Sequence, residues 1–157
     1  MNEIIIRRSK INTKQEKSDL IKIHTIRGRL LHLTSILETI MKGYCNLPLN
    51  TNKKAWQIED LFITKLKLTG NYNLKELDVL KDCLKEIRDS RNDWGHGFVY
   101  YKKRKKGKIN NSIANKGVIK SITPPYFDET NKNINFVFDW LANHYLLKIK
   151  RHYIDVV

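Results

Sequence analysis

The amino-acid sequence predicts an all-α bundle of four to five helices, with a basic β-hairpin or loop inserted before the last helix. Three observations predict it. Apolar residues recur at intervals of three and four along most of the chain, the period of a helix with one buried face. Gly, Asn and Pro cluster between these stretches, where helices have to stop. After Gly97 the pattern changes, and the chain turns strand-like and cationic.

Residues 1–12 read as an N-terminal extension. Thr13-Lys14-Gln15-Glu16 then has capping-box spacing, a Thr followed three later by a Glu. Ile23, Ile26, Leu30, Leu33, Leu37, Ile40 and Tyr44 form the stripe of a long first helix, widened by Leu31, Ile36 and Met41. Gly43 and Asn46-Leu47-Pro48 end it. Its length and apolarity make it the expected central packing element. A loop follows from Leu47 to Lys54. A shorter helix is expected over about Lys54 to Leu68, with Ile58, Leu61, Phe62 and Leu66 inward and Thr69-Gly70-Asn71 as its stop.

Asn73-Leu74-Lys75-Glu76 is a second capping candidate. The helix it opens has a clear seam of Leu77, Leu80, Leu84 and Ile87, and the next seam position is Arg91. Gly95 and Gly97 are expected to break it. Phe98-Val99-Tyr100-Tyr101 and Gly117-Val118-Ile119-Lys120-Ser121-Ile122 are strand-like, and between them runs Lys102-Lys103-Arg104-Lys105-Lys106-Gly107-Lys108. Residues 98–125 therefore read as an extended hairpin or a basic loop, closed by Pro124-Pro125. A last helix is expected from Asn131 or Asn133, carrying Phe136, Val137, Trp140, Leu141, Tyr145 and Leu147 and ending near Arg151-His152. No repeat or linker divides the 157 residues, so one domain spans them.

The chain carries a formal charge of +14, from 30 Lys and Arg against 16 Asp and Glu. Such a surplus repels itself, and a polyanionic partner explains it most simply: nucleic acid first, an anionic membrane surface second. Compositional drift towards Lys, Asn and Ile is the alternative. No stretch is long and apolar enough for a signal peptide or a membrane span. Cys45 and Cys83 form no framework and read as buried, reduced thiols, which points to the cytoplasm. Zinc spacing, a phosphate-cradling Gly loop and a Ser or Cys nucleophile arrangement are all missing, so neither metal nor cofactor is expected. His24 and His32 lie eight apart on the first helix, too few ligands for a metal. Glu59-Asp60 reads as part of a solvated face.

The strongest chemical candidate is Arg91-Asn92-Asp93-Trp94-Gly95-His96. An Arg on an apolar seam is costly unless something anionic meets it. Arg can fork onto a phosphate, and His moves protons near neutral pH. A helix break at Gly95 would bring the imidazole back towards the guanidinium, with Asn92 and Asp93 orienting them. The same spacing occurs at Arg27 to His32, but mid-helix and without the polar follower, and it is read as coincidental.

Arg91-Asn92, three residues, then His96-Gly97 resembles the signature of the HEPN superfamily, small helical domains of which many are metal-independent ribonucleases. The long first helix with Glu38 in its second half, and the helix running into the motif, are similar to family members as well. The resemblance implies an endoribonuclease in which the RNA 2′-OH attacks its own phosphate. His96 would act as general acid or base, Arg91 would stabilise the phosphorane and Asn92 would position it, with Asp93 and Glu38 in support. It also implies a homodimer through the motif-bearing face, a toxin or antiviral-defence setting, and an antitoxin or other regulatory partner. Lys102, Lys103, Arg104, Lys105 and Lys106, preceded by Tyr100 and Tyr101, suit an RNA backbone and its unpaired bases. Phe98 stands where one antitoxin-paired subgroup has a Tyr, which counts against that pairing. A non-catalytic nucleic-acid-binding or protein-interaction bundle is the alternative.

Overall fold

The computed structural model describes residues 14–96, 98–103, 109–115, 118–121 and 124–144. Four helices make up an all-α bundle. The first, α1, spans Lys14–Tyr44 and buries Ile26, Leu30, Leu33, Leu37 and Met41. The capping residue expected before it, Thr13, lies outside the described residues.

The second helix, α2, spans Ala55–Thr69. Its first turn is held by the Lys54 backbone N–H, which donates to Gln57 Oε1 at 2.8 Å. It stops at Gly70, whose φ of 68° is the left-handed cap a glycine adopts without strain. Ile58, Phe62, Ile63 and Leu66 are buried, and Glu59 with them. Leu61, expected inward, is 40% exposed. The buried arc runs from residue 58 through 62, 66 and 59 to 63, and at about 100° per residue position 61 falls outside it.

Helix α3 spans Leu74–His96. Asn73 caps it by accepting the Lys75 N–H on Oδ1 at 2.9 Å. Leu77, Leu80, Leu84 and Ile87 are buried as the seam requires, and Trp94 resumes the seam one turn beyond Arg91. This helix packs against α1, α2 and the last helix alike. It, and not the longer α1, is therefore the central element. Near the start of α1, Ile21 is 67% exposed.

The expected break at Gly95 does not occur, because α3 continues through it to His96. The backbone there is pinned from α1, where Arg27 Nη2 donates to the Gly95 carbonyl at 3.2 Å.

The last helix, α4, spans Pro124–Asn143. It begins at the two prolines expected to end the preceding loop, not near Asn131. A first turn has no partner for its N–H groups, so proline costs nothing there. Ile134, Val137, Phe138, Trp140 and Leu141 are buried, while Phe136 is only partly so. Tyr145, Leu147, Arg151 and His152 lie outside the described residues.

Between α3 and α4 the described backbone forms three strands: β1 (Phe98–Lys103), β2 (Ile109–Asn115) and β3 (Val118–Ser121). They make an antiparallel sheet in the order β1-β2-β3. The partner of β1 is Ile109–Asn115, a stretch without a strong strand pattern, with Phe98 opposite Ala114 and Lys103 opposite Ile109. The 118–121 strand pairs with β2. The sheet meets the bundle where β2 lies against α3.

A Cβ at Gly95 would lie 3.7 Å from Leu31 Cδ2, an ordinary contact. Gly95→Ala is therefore expected to raise stability by about 0.5–1 kcal/mol, since Ala is the better helix former. Thermal unfolding checks this, and a lowered midpoint would mean that the helix does not pass through residue 95.

Candidate functional site

The motif helix carries Arg91 and His96 on one continuous α-helix. Five residues of helix turn by about 500° and rise about 7.5 Å, so the two side chains leave the axis about 140° apart. They do not come together as expected.

Arg91 is half-buried and looks into a pocket where α1, α2 and α3 meet. Thr34, Glu38, Met41, Glu59 and Arg88 share this lining, around about 390 Å³ of empty space open to solvent. Arg91 Nη1 donates to Asn92 Oδ1 at 3.1 Å, so Asn92 does hold the guanidinium. Among the described residues no carboxylate pairs with Arg91. Glu38 instead accepts Lys42 Nζ at 2.7 Å, one turn along α1. Asp93 is buried and interacts with other groups of the protein.

Glu59 corrects the solvated-face expectation. It is 7% exposed and forms a close ion pair with Arg88 across the α2–α3 interface, while its neighbour Asp60 meets Lys81 at 3.0 Å nearer the surface. Burial pushes the Glu59 carboxyl up to about 7, against the pull of Arg88 and with help from Asp60, Asp89 and Glu38. The signal was available in the sequence, since residues 59, 62, 63 and 66 lie on one helical face.

His96 is exposed on the last residue of α3, and no described residue bonds to it. Two features surround it. The first is Arg27, whose guanidinium ends on the carbonyl of the preceding residue. Sequence reasoning set Arg27 aside as half of a coincidental motif, because nothing in the sequence shows which turn of α1 crosses the end of α3. The second is the sheet, whose first strand begins two residues after His96. Tyr100, Tyr101, Lys102 and Lys103 lie on β1, while Arg104, Lys105 and Lys106 are outside the described residues.

Charge is divided unevenly between these parts. Residues 14–96 and 124–144 carry sixteen Lys and Arg against fourteen Asp and Glu. Residues 97–123 carry eight Lys and Arg and no acid. The surplus therefore belongs mainly to the segment that follows His96.

His144 and the two cysteines have structural places. His144 stacks on Trp140 at 4.1 Å between ring centroids, with its Nδ1 2.8 Å from the Trp140 carbonyl, and Tyr72 meets both rings. Cys45 and Cys83 are half-buried free thiols. Among the described residues no group of His, Cys, Asp and Glu can hold a metal, and no helix is long and apolar enough to cross a membrane. No protein-family model matches the chain, and neither a curated protein nor a solved structure shows significant similarity to it.

The Glu59 carboxyl makes stability depend on pH. Its pKa is raised from the ordinary 4.5 to about 7, so the folded state holds the proton more tightly than the unfolded chain. That contribution is complete below pH 4.5 and is lost as pH rises through 7. Denaturant unfolding from pH 4.5 to 8 is expected to show a fall on the order of 2–3 kcal/mol from this group, and Glu59→Gln should flatten it. An unchanged pH profile in the variant would show that Arg88 keeps Glu59 ionised throughout.

Proposed function

We propose that the protein is a metal-independent endoribonuclease of the HEPN type, acting in the cytoplasm as a toxin or antiviral-defence effector. The observation that carries this reading is the setting of His96. An exposed imidazole without a partner among the described residues ends the central helix. Arg27 reaches the adjoining carbonyl, and an acid-free cationic segment begins directly after it.

The chemistry is cleavage by the RNA's own 2′-OH. His96 takes or gives a proton as the 2′-oxygen attacks phosphorus and the 5′-oxygen leaves, which yields a cyclic phosphate and a 5′-OH. The RNA-binding residues of this reading are Lys102 and Lys103 of β1 for the backbone and Tyr100 and Tyr101 for unpaired bases. A homodimer through the motif-bearing face would place two such helix ends along one RNA, and an antitoxin or regulatory protein would cover them. In this reading Arg91 serves at the pocket beside Glu38 and Glu59, held by Asn92, and not at the phosphate that His96 meets.

A non-catalytic RNA-binding module is the second reading, and the divergence of Arg91 from His96 favours it. Incubation with RNA in a chelator separates the two. Wild-type protein is expected to cleave and His96→Ala to lose at least about 100-fold in rate. Equal cleavage by both would remove His96 from the mechanism, and binding without any cleavage would establish the second reading.

The division of charge makes a separate prediction. Replacing Lys102 and Lys103 together by Glu is expected to weaken binding of single-stranded RNA and to lower the slope of log K against log salt by about 1.4, at about 0.7 per phosphate contact. The thermal midpoint should stay unchanged. Filter binding across a salt series measures the slope, and an unaltered value would place the RNA elsewhere.

A further inference from the structure

We infer that Arg27 and His24 of α1 complete the site at His96, so that one chain holds two imidazoles and a guanidinium around a single phosphodiester. This rests on the ribonuclease reading and names the groups that reading lacks: a second proton-transfer residue and the cation for the phosphorane.

The inference starts from where α1 crosses α3. Gly95 faces Leu31, and the Gly95 carbonyl receives Arg27 Nη2 at 3.2 Å. Higher up the same interface, Leu37 and Glu38 meet Arg88 and Arg91 at the pocket, so the two helices run antiparallel. Following α1 towards its N-terminus therefore leads past the C-terminal end of α3. His24, Arg27 and Leu31 are spaced three and four apart, within an arc of about 60° on α1. Leu31 touches α3, Arg27 reaches its end, and His24 stands about 4.5 Å further along the axis, one turn out. On the other helix, His96 is the next residue in the chain after the one whose carbonyl Arg27 holds.

His24 and His96 are both exposed, and neither has a bonding partner among the described residues. His144, by contrast, is tied to the Trp140 carbonyl. His32 lies about 80° around α1 from His24 and about 140° from Arg27, away from this corner. Arg27 spends one of its five donor positions on Gly95 and is half-buried, which leaves N–H groups for an anion. The last turn of a helix repels anions through its free carbonyls, and the guanidinium placed on one of them reverses that local sign. Arg91 cannot supply this charge, since it opens into the pocket on another side of α3.

In the reaction a neutral imidazole accepts the 2′-OH proton as the O2′–P bond forms. The other, protonated imidazole gives its proton to the 5′-oxygen as the P–O5′ bond breaks. Charge on the phosphorane falls to Arg27. The products are a 2′,3′-cyclic phosphate and a 5′-OH, with the two imidazoles left in exchanged protonation states that water resets.

The test compares wild type with His24→Ala, Arg27→Gln, Arg27→Lys and His96→Ala. His24 is exposed, so His24→Ala should keep the wild-type melting temperature. It is expected to lose about 100-fold or more in RNA cleavage and one limb of the bell-shaped pH dependence of kcat/KM. Arg27→Lys should recover part of what Arg27→Gln loses. If His24→Ala cleaves at the wild-type rate with both limbs intact while His96→Ala is inactive, the ribonuclease reading stands and this inference falls. If no form cleaves RNA, imidazole NMR with inorganic phosphate decides it. Resonances of His24 and His96 that move together, and stop moving in Arg27→Gln, uphold the shared anion site. Movement of His96 without His24, or of neither, overturns it.

Discussion

Leu77, Leu80, Leu84, Ile87 and Trp94 are all buried along one side of α3, and α1, α2 and α4 gather around that helix. Each such side chain is worth about 1.5–3 kcal/mol when fully removed from water, so their joint burial favours this arrangement strongly. The seam also decides what happens at the end of the helix. Trp94, 1% exposed, anchors the last turn, and Arg27 holds its carbonyl from α1. The turn carrying His96 is therefore joined to the core through Trp94 and Arg27.

Electrostatics follows from the same packing. Arg91 interrupts the seam and keeps its place because a pocket opens there, with Glu38 and Glu59 on its other walls. Glu59 and Arg88 pair across the α2–α3 interface. Desolvating both charges offsets most of their attraction, so this pair sets the register of the two helices more than it adds stability. The bundle is close to electrically balanced, and most of the chain's surplus sits in one acid-free stretch between two helices. A near-neutral scaffold with a cationic appendage avoids most of the self-repulsion that +14 spread over a single core would cause.

Much of the helical architecture was legible from periodicity alone. Leu77 to Ile87 announced the buried seam of α3, Gly70 the end of α2 and Asn73 the start of α3, each through a local rule that needs no neighbour. The failures have a common origin. Gly95 costs a helix about 1 kcal/mol relative to Ala, a penalty smaller than what Trp94 and the α1 contact return, so the helix ran on. Pro124 and Pro125 suit a loop or a first helical turn equally well, and contacts further along α4 decided for the turn. Glu59 shares the buried face of α2 with residues 62, 63 and 66, but the partner that meets it there, Arg88, lies 29 residues away.

By itself, then, the sequence determined that the chain is a helical bundle, most of the faces its helices bury and the position of the basic segment, and it singled out His96 as a candidate. Those features are written in the spacing of neighbouring side chains, and a helix reads that spacing directly. Only the tertiary structure decided that α3 is central, that it passes through Gly95, that Arg91 and His96 diverge, and that Arg27 arrives at the end of α3. Each of these depends on where one helix crosses another, and a crossing point is set by the packing of whole surfaces, which no local pattern along the chain records.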